Sequence, residues 1–163
     1  MWVWSHVMVS TIVFGPNPEA VLGAILPDLF NIPNWFLKFE TRKVSFKLML
    51  KSEKRFDKKL NSGLVWDTDQ IFHSFSCTAV ALLLTAHFYN QNPVLFRFFG
   101  SWALHVLIDY LTHKDQFFPF FPFFEGFGFR LGLINYNPRN AVALVTDLAL
   151  FALTLVRLGH LPL

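Results

Sequence analysis

One stretch of the sequence places five polar side chains at intervals of four residues. They stand among apolar neighbours between residues 94 and 113, a length and composition that predict a helix. Each step of four residues advances about 40° around a helix, so the last three members lie within about 80° on one face. This polar stripe consists of Arg97, Ser101, His105, Asp109 and His113.

The spacing of His105 and Asp109 suits metal binding, because an imidazole nitrogen and a carboxylate oxygen one turn apart can bind the same cation. Asp109 has two carboxylate oxygens and could bridge two ions. Thr112 shares the face, seven residues after His105. The alternative is a buried His–Asp hydrogen bond without metal. A solvated face is disfavoured, since the flanking residues from Trp102 to Ile108 are otherwise apolar.

Other ionisable residues stand in equally apolar surroundings on separate segments. His6 interrupts an apolar start, Asp28 follows Leu-Pro, and His73 opens an apolar run. Isolated buried polar groups are costly unless they are satisfied, and a shared metal centre would satisfy all of them together. Asp69 precedes His73 by four residues, either to orient its imidazole or as an ordinary acid near a helix start.

The remaining pattern indicates an all-α fold. Apolar runs of helical length alternate with Pro, Gly and Asn breaks, and no strand-like alternation is present. We expect one domain over residues 1–163, a compact bundle of about five to seven helices. The predicted helical or apolar segments are 2–14, 19–29, 35–60, 64–89, 94–113 and 141–158.

Composition indicates membrane contact. Hydrophobic residues make up 53% of the 163 residues and charged residues 15%, against about 25% charged in average soluble domains. Segment 38–59 carries nine of the 14 Lys and Arg with three acids, which suits anionic lipid; no nucleic-acid motif accompanies it. A Phe- and Pro-rich stretch at 117–129 could dip into lipid. The helices could span a bilayer or form a bundle; in a spanning protein segment 38–59 is expected on the cytoplasmic side.

Several short motifs together resemble the membrane-bound metal-dependent hydrolase family, which is assigned to bacterial inner membranes. The matching pieces are His6, Gly23-x-x-Leu26-Pro27-Asp28, His73-Ser74, and His105-x3-Asp109-x2-Thr112-His113 followed by the Phe/Pro stretch. They span residues 6 to about 124. The pattern is more distantly similar to zinc-dependent phospholipases C, which are all-α.

The resemblance implies roles for individual residues. His73, His105 and Asp109 match the ligands of one metal, and His6 with Asp109 those of a second. Asp28 matches a water-activating carboxylate, and it is the expected catalytic residue. The chain departs from the family at residues 68–70, Thr-Asp-Gln, where many members have His-Arg-Gly. Asp69, Thr112 and His113 are expected either to support these ligands or to add to them.

The expected function is therefore metal-dependent hydrolysis of a phosphoester or another ester, with or without a linked lipid, on a phospholipase-C-like helical core. Mixed nitrogen and oxygen ligands favour one or two Zn²⁺ ions, although Mn²⁺ or Fe²⁺ also fits. The alternatives are a non-catalytic membrane-associated helical protein with a structural metal or polar cluster, and a lipid-binding or assembly module.

Overall fold

The computed structural model describes residues 3–29, 71–112 and 141–160, and every regular element within these ranges is helical. The all-α prediction is thus confirmed. The five helices are α1 Val3–Phe14, α2 Pro18–Leu29, α3 Phe75–Phe88, α4 Pro93–Thr112 and α5 Ala141–Arg157. The predicted basic helix at 35–60 and the Phe/Pro stretch at 117–129 lie outside the described residues, and the single-domain expectation stays a prediction.

Helix α4 is the centre of the described bundle, where it packs against α1, α2 and α3. Its buried face joins α3 in an apolar cluster of Ala81, Trp102, Ala103, Val106 and Tyr110. Burial of such apolar surface is the main favourable contribution to folding. Among the described helices, α4 alone is long and apolar enough to cross a membrane, a property that the core helix of a soluble protein can share.

Local sequence signals set the helix ends. Gly15 stops α1 with a positive φ of 85°, and its N–H bonds to the Thr11 carbonyl at 2.9 Å. Two residues later the Asn17 carbonyl accepts from Ala20 N as α2 starts at Pro18, a favoured first helical residue. This three-residue connection lets α2 pack back along α1.

The contact between α2 and α4 is unusually close. Four small or ring-shaped residues form the buried face of α2 at helical spacing: Ala20, Gly23, Ala24 and Pro27. A Cβ added at Gly23 would stand 2.2 Å from the Phe98 carbonyl oxygen of α4, so only glycine fits there. This approach brings the end of α2 beside the polar stripe of α4.

Candidate metal centre

Helix α4 presents His105 and Asp109 on its buried face, as the four-residue spacing predicts. The two residues are 1% and 4% exposed, and His105 Nε2 lies 3.2 Å from Asp109 Oδ2. The other ring nitrogen, His105 Nδ1, lies 2.6 Å from the Ala24 carbonyl oxygen of α2. Because a carbonyl oxygen only accepts, Nδ1 must donate, and the neutral ring then carries its lone pair on Nε2.

His73 approaches the same carboxylate from the segment before α3. Its Nε2 lies 3.7 Å from Asp109 Oδ2. The next residue, Ser74, caps α3 by accepting from Cys77 N through its hydroxyl oxygen at 3.1 Å. The Tyr110 hydroxyl donates to the His73 carbonyl at 2.9 Å. His73 is therefore held on one side by a helix cap and on the other by α4.

Asp28 completes the group from the last turn of α2. Its Oδ1 lies 3.7 Å from His105 Nε2 and 3.8 Å from His73 Nε2. One donor atom from each of these residues falls in a set within 4.8 Å: Asp28, His73, His105 and Asp109. The Asp28 side chain is 25% exposed, whereas the three others are buried, so Asp28 marks the accessible side.

These separations can be compared with those of a bound ion. Zinc–nitrogen bonds of about 2.0–2.1 Å in a tetrahedron place ligand atoms about 3.3–3.4 Å apart. The pairs described above range from 3.2 to 3.8 Å. Two carboxylates and two neutral imidazoles also balance the charge of a divalent cation. All donor atoms of the set lie within 4.8 Å of one another, a wider spacing than in a closed zinc tetrahedron, so the set could hold a metal ion and suits one in element type and charge.

His6 lies on the other side of Asp109. Its ring stacks on His105 with centroids 3.7 Å apart and an interplanar angle of 18°, and its Nε2 lies 3.1 Å from Asp109 Oδ1. Asp109 thus directs one oxygen toward His73 and His105 and the other toward His6. Burial lowers the pKa of His6 to about 4, although the neighbouring Asp109 opposes the shift. The ring is therefore neutral at neutral pH, the form that binds metals.

Three buried nitrogen atoms lack hydrogen-bond partners among the described residues. They are His105 Nε2 and both ring nitrogens of His6, whose orientation toward Asp109 is outside hydrogen-bond geometry despite the short distance. An unsatisfied buried polar group costs about 1–3 kcal/mol. Two of these nitrogens, His6 Nε2 and His105 Nε2, lie within 3.2 Å of Asp109, as expected for ligands of a cation, whereas Ser101 Oγ lacks a partner among the described residues without belonging to the donor group.

The other predicted residues are placed differently. The Thr112 hydroxyl is buried and donates to the Ile108 carbonyl of its own helix at 2.8 Å, so its hydroxyl proton is used within α4. Asp69 and His113 lie outside the described residues. Their suggested supporting or ligand roles, like the individual ligand assignments, stay predictions.

Two supporting contacts were not foreseen in the sequence. The Ala24 carbonyl fixes the His105 ring, but a backbone oxygen leaves no signature in side-chain chemistry. The Tyr110 hydroxyl could have been noticed, because a tyrosine within an apolar helix needs a partner when it is buried. Asp28 was expected beside the ligands, and the structure places its carboxylate within the donor group itself.

Comparison of the chain with protein-family models, curated proteins and solved structures finds no match to any of them.

Proposed function

We propose that this protein binds a divalent metal ion between α2 and α4 and uses it to hydrolyse an ester. The observation that carries the proposal is the approach of His105 Nε2 to Asp109 Oδ2. With Nδ1 donating to Ala24, Nε2 is buried without a hydrogen-bond partner among the described residues, 3.2 Å from that carboxylate oxygen. A cation between the two atoms would bind both.

Zinc is the proposed ion, since it accepts mixed imidazole and carboxylate ligands; Mn²⁺ and Fe²⁺ also suit them. His73, His105 and Asp109 would hold the first ion, and Asp28 would lie beside it on the accessible side. The position of His6 beside the other oxygen of Asp109 supports a second ion bridged by that carboxylate. The Ala24 and Tyr110 contacts would keep two of the imidazole ligands oriented.

The proposed reaction is hydrolysis of a phosphoester or another ester. A divalent ion in such a site supplies an acidified water and polarises the scissile group. Asp28 is the donor-group member that is open to the outside, so its carboxylate can accept a proton from a water that enters with substrate. The buried imidazoles would orient the metal ion and exclude bulk water from it.

Membrane contact and a phospholipase-C-like arrangement of the bundle belong to the same proposal. The length and apolar composition of α4 and the exposed apolar side chains of α3 and α5 support lipid contact. A lipid-linked ester is the substrate class that this setting favours. The non-catalytic alternative keeps the metal or polar cluster as a structural element.

Element-resolved metal analysis tests the first step. The protein is purified in mild detergent without metal-affinity resin, and wild type is compared with Asp109→Asn and His105→Asn. We expect about one or two zinc equivalents in wild type. In each variant, zinc affinity should fall by more than the roughly 10–100-fold that loss of a supporting residue causes. Asp147→Asn is the matched control, because Asp147 accepts a 2.6 Å hydrogen bond from Ser5 and is not among the donor residues. Metal-free, fully folded wild type would contradict the proposal.

Asp28→Asn separates catalysis from a structural metal. Phosphomonoester, phosphodiester and phospholipid substrates are screened with several divalent ions, and the variant is then compared on any substrate that turns over. If Asp28 accepts a proton, we expect a rate loss of about 10²–10⁴ with the metal largely retained. Equal loss of metal and rate would make Asp28 a ligand only. Absence of turnover in every metal form would favour the structural alternative.

A further inference from the structure

An apolar groove runs along the outer side of the α1–α2 turn. It has a volume of about 510 Å³ and lies between the first two turns of α2 and the last turn of α5. None of the candidate metal donors lines it. Its walls are mainly carbon and include Pro16, Val21, Leu22, Ile25 and Leu158. Such a surface in contact with water is unfavourable, and an aliphatic chain would cover it.

A cation stands at one end of this groove. Arg157 is exposed and precedes Leu158 of the groove wall, and its Nη2 lies 3.9 Å from the position of a Cβ on Gly15, the neighbour of Pro16. Only two arginines or lysines occur in the described ranges. Arg97 pairs with Glu19 at 2.7 Å, whereas Arg157 has no ion pair with a described residue. Within the described part of the chain, no acidic side chain neutralises its guanidinium.

The outer face of α5 continues the apolar surface away from the groove. The helix ends at Arg157, and five of its large apolar side chains are more than half exposed: Leu144, Val145, Leu148, Phe151 and Leu153. A helix with an apolar outer face and a cation at its end places that cation at headgroup level when the face contacts lipid. The groove, the face and the cation therefore form one continuous amphipathic surface.

We propose that the groove binds one acyl chain of an anionic phospholipid whose phosphate pairs with Arg157. A guanidinium group binds phosphate through two parallel hydrogen bonds. The position of Arg157 at the end of the apolar walls would place it beside the phosphate of a lipid whose acyl chain lies in the groove. The lipid would lock the end of α5 against the α1–α2 turn. This inference rests on the membrane contact in the proposed function and is independent of the metal chemistry.

Native mass spectrometry on detergent-purified protein tests it. Wild type is titrated with phosphatidylglycerol or phosphatidylcholine of the same acyl chains, and the bound lipid is counted. We expect about fivefold tighter retention of phosphatidylglycerol, the factor that one cation near an anionic headgroup contributes. Arg157→Gln should abolish that preference, and Arg157→Lys should keep only part of it, because the charge remains but the paired hydrogen bonds are lost.

A pair of exposed leucines tests the acyl-chain position. Leu22→Gln, at a groove residue that is 51% exposed, should weaken retention of both lipids. Leu83→Gln is the control, since Leu83 is 71% exposed on α3 and does not line the groove. Equal effects of the two changes, or a headgroup preference that survives Arg157→Gln, would overturn the proposal. If wild type retains both lipids equally, the proposed anionic-lipid site is wrong, but membrane contact is still supported. If wild type binds neither lipid, both the lipid site and membrane contact are contradicted. Metal content of the same samples reports separately on the metal centre.

Discussion

Replacing Gly23 with alanine tests whether the close α2–α4 contact positions the candidate metal centre. The new Cβ would stand 2.2 Å from the Phe98 carbonyl oxygen, and ordinary van der Waals contact begins near 3.4 Å. Because the obstacle is backbone, the two helices must separate locally by about 1 Å. Overpacking of this kind costs about 1–3 kcal/mol, and we expect the upper end of that range.

The same shift should reach the metal ligands. Ala24 follows Gly23, and its carbonyl oxygen accepts the hydrogen bond from His105 Nδ1 at 2.6 Å. An added 1 Å would lengthen this N–O distance to about 3.6 Å, beyond hydrogen-bond distance. Loss of a partner that orients a metal-binding imidazole weakens metal affinity by about 10–100-fold. We therefore expect Gly23→Ala to lower both the free energy of unfolding in urea and the zinc affinity measured by competition with a chromophoric chelator.

Gly100→Ala provides the matched control. Its Cβ would meet the Phe14 ring at 2.6 and 2.8 Å, but the far end of a side chain can move where a backbone carbonyl cannot. This variant should lose less stability and keep wild-type zinc affinity. The reasoning is refuted if Gly23→Ala unfolds at the wild-type urea concentration, or if both glycine variants lose zinc affinity to the same extent.

Two further changes probe contacts around the centre. Tyr110→Phe removes the 2.9 Å hydrogen bond to the His73 carbonyl and should lower the unfolding free energy by about 1–3 kcal/mol with weaker zinc binding; unchanged zinc affinity would show that Tyr110 does not orient His73. The Arg97–Glu19 pair links α4 to α2 at 2.7 Å, but Arg97 is about one-third exposed, so a double-mutant cycle with Arg97→Met and Glu19→Gln should give a coupling energy of only about 0.2–1 kcal/mol that shrinks with added salt. A larger, salt-independent coupling would contradict this assignment.

The helical spacing of the site residues could be predicted from the sequence. Four-residue spacing placed His105 and Asp109 on one helix face, and the structure has both on the buried face of α4. The helix boundaries were also predictable from the sequence, since α2 and α5 begin and end within one residue of their predicted limits. These features depend on local geometry, which neighbouring residues determine.

Tertiary placement was less accessible to sequence reasoning. The stacking of His6 on His105 and the entry of Asp28 into the donor group depend on the α2–α4 distance, which Gly23 allows. One glycine in a helix does not reveal which backbone will approach it. The groove beside Arg157 was also missed, since its walls come from residues 11–25 and 154–158, far apart in sequence.

The donor group also has a consequence for the order of events during synthesis. His6, Asp28 and His73 leave the ribosome well before His105 and Asp109, and the His105–Ala24 contact joins residues 81 positions apart. Chains translated at about 5–20 residues per second thus expose the early ligands for seconds before α4 arrives. Among the described helices, α4 alone supplies two members of the donor group, one turn apart. Metal binding at this group would therefore report that the chain has been made past residue 109 and that its distant segments have met.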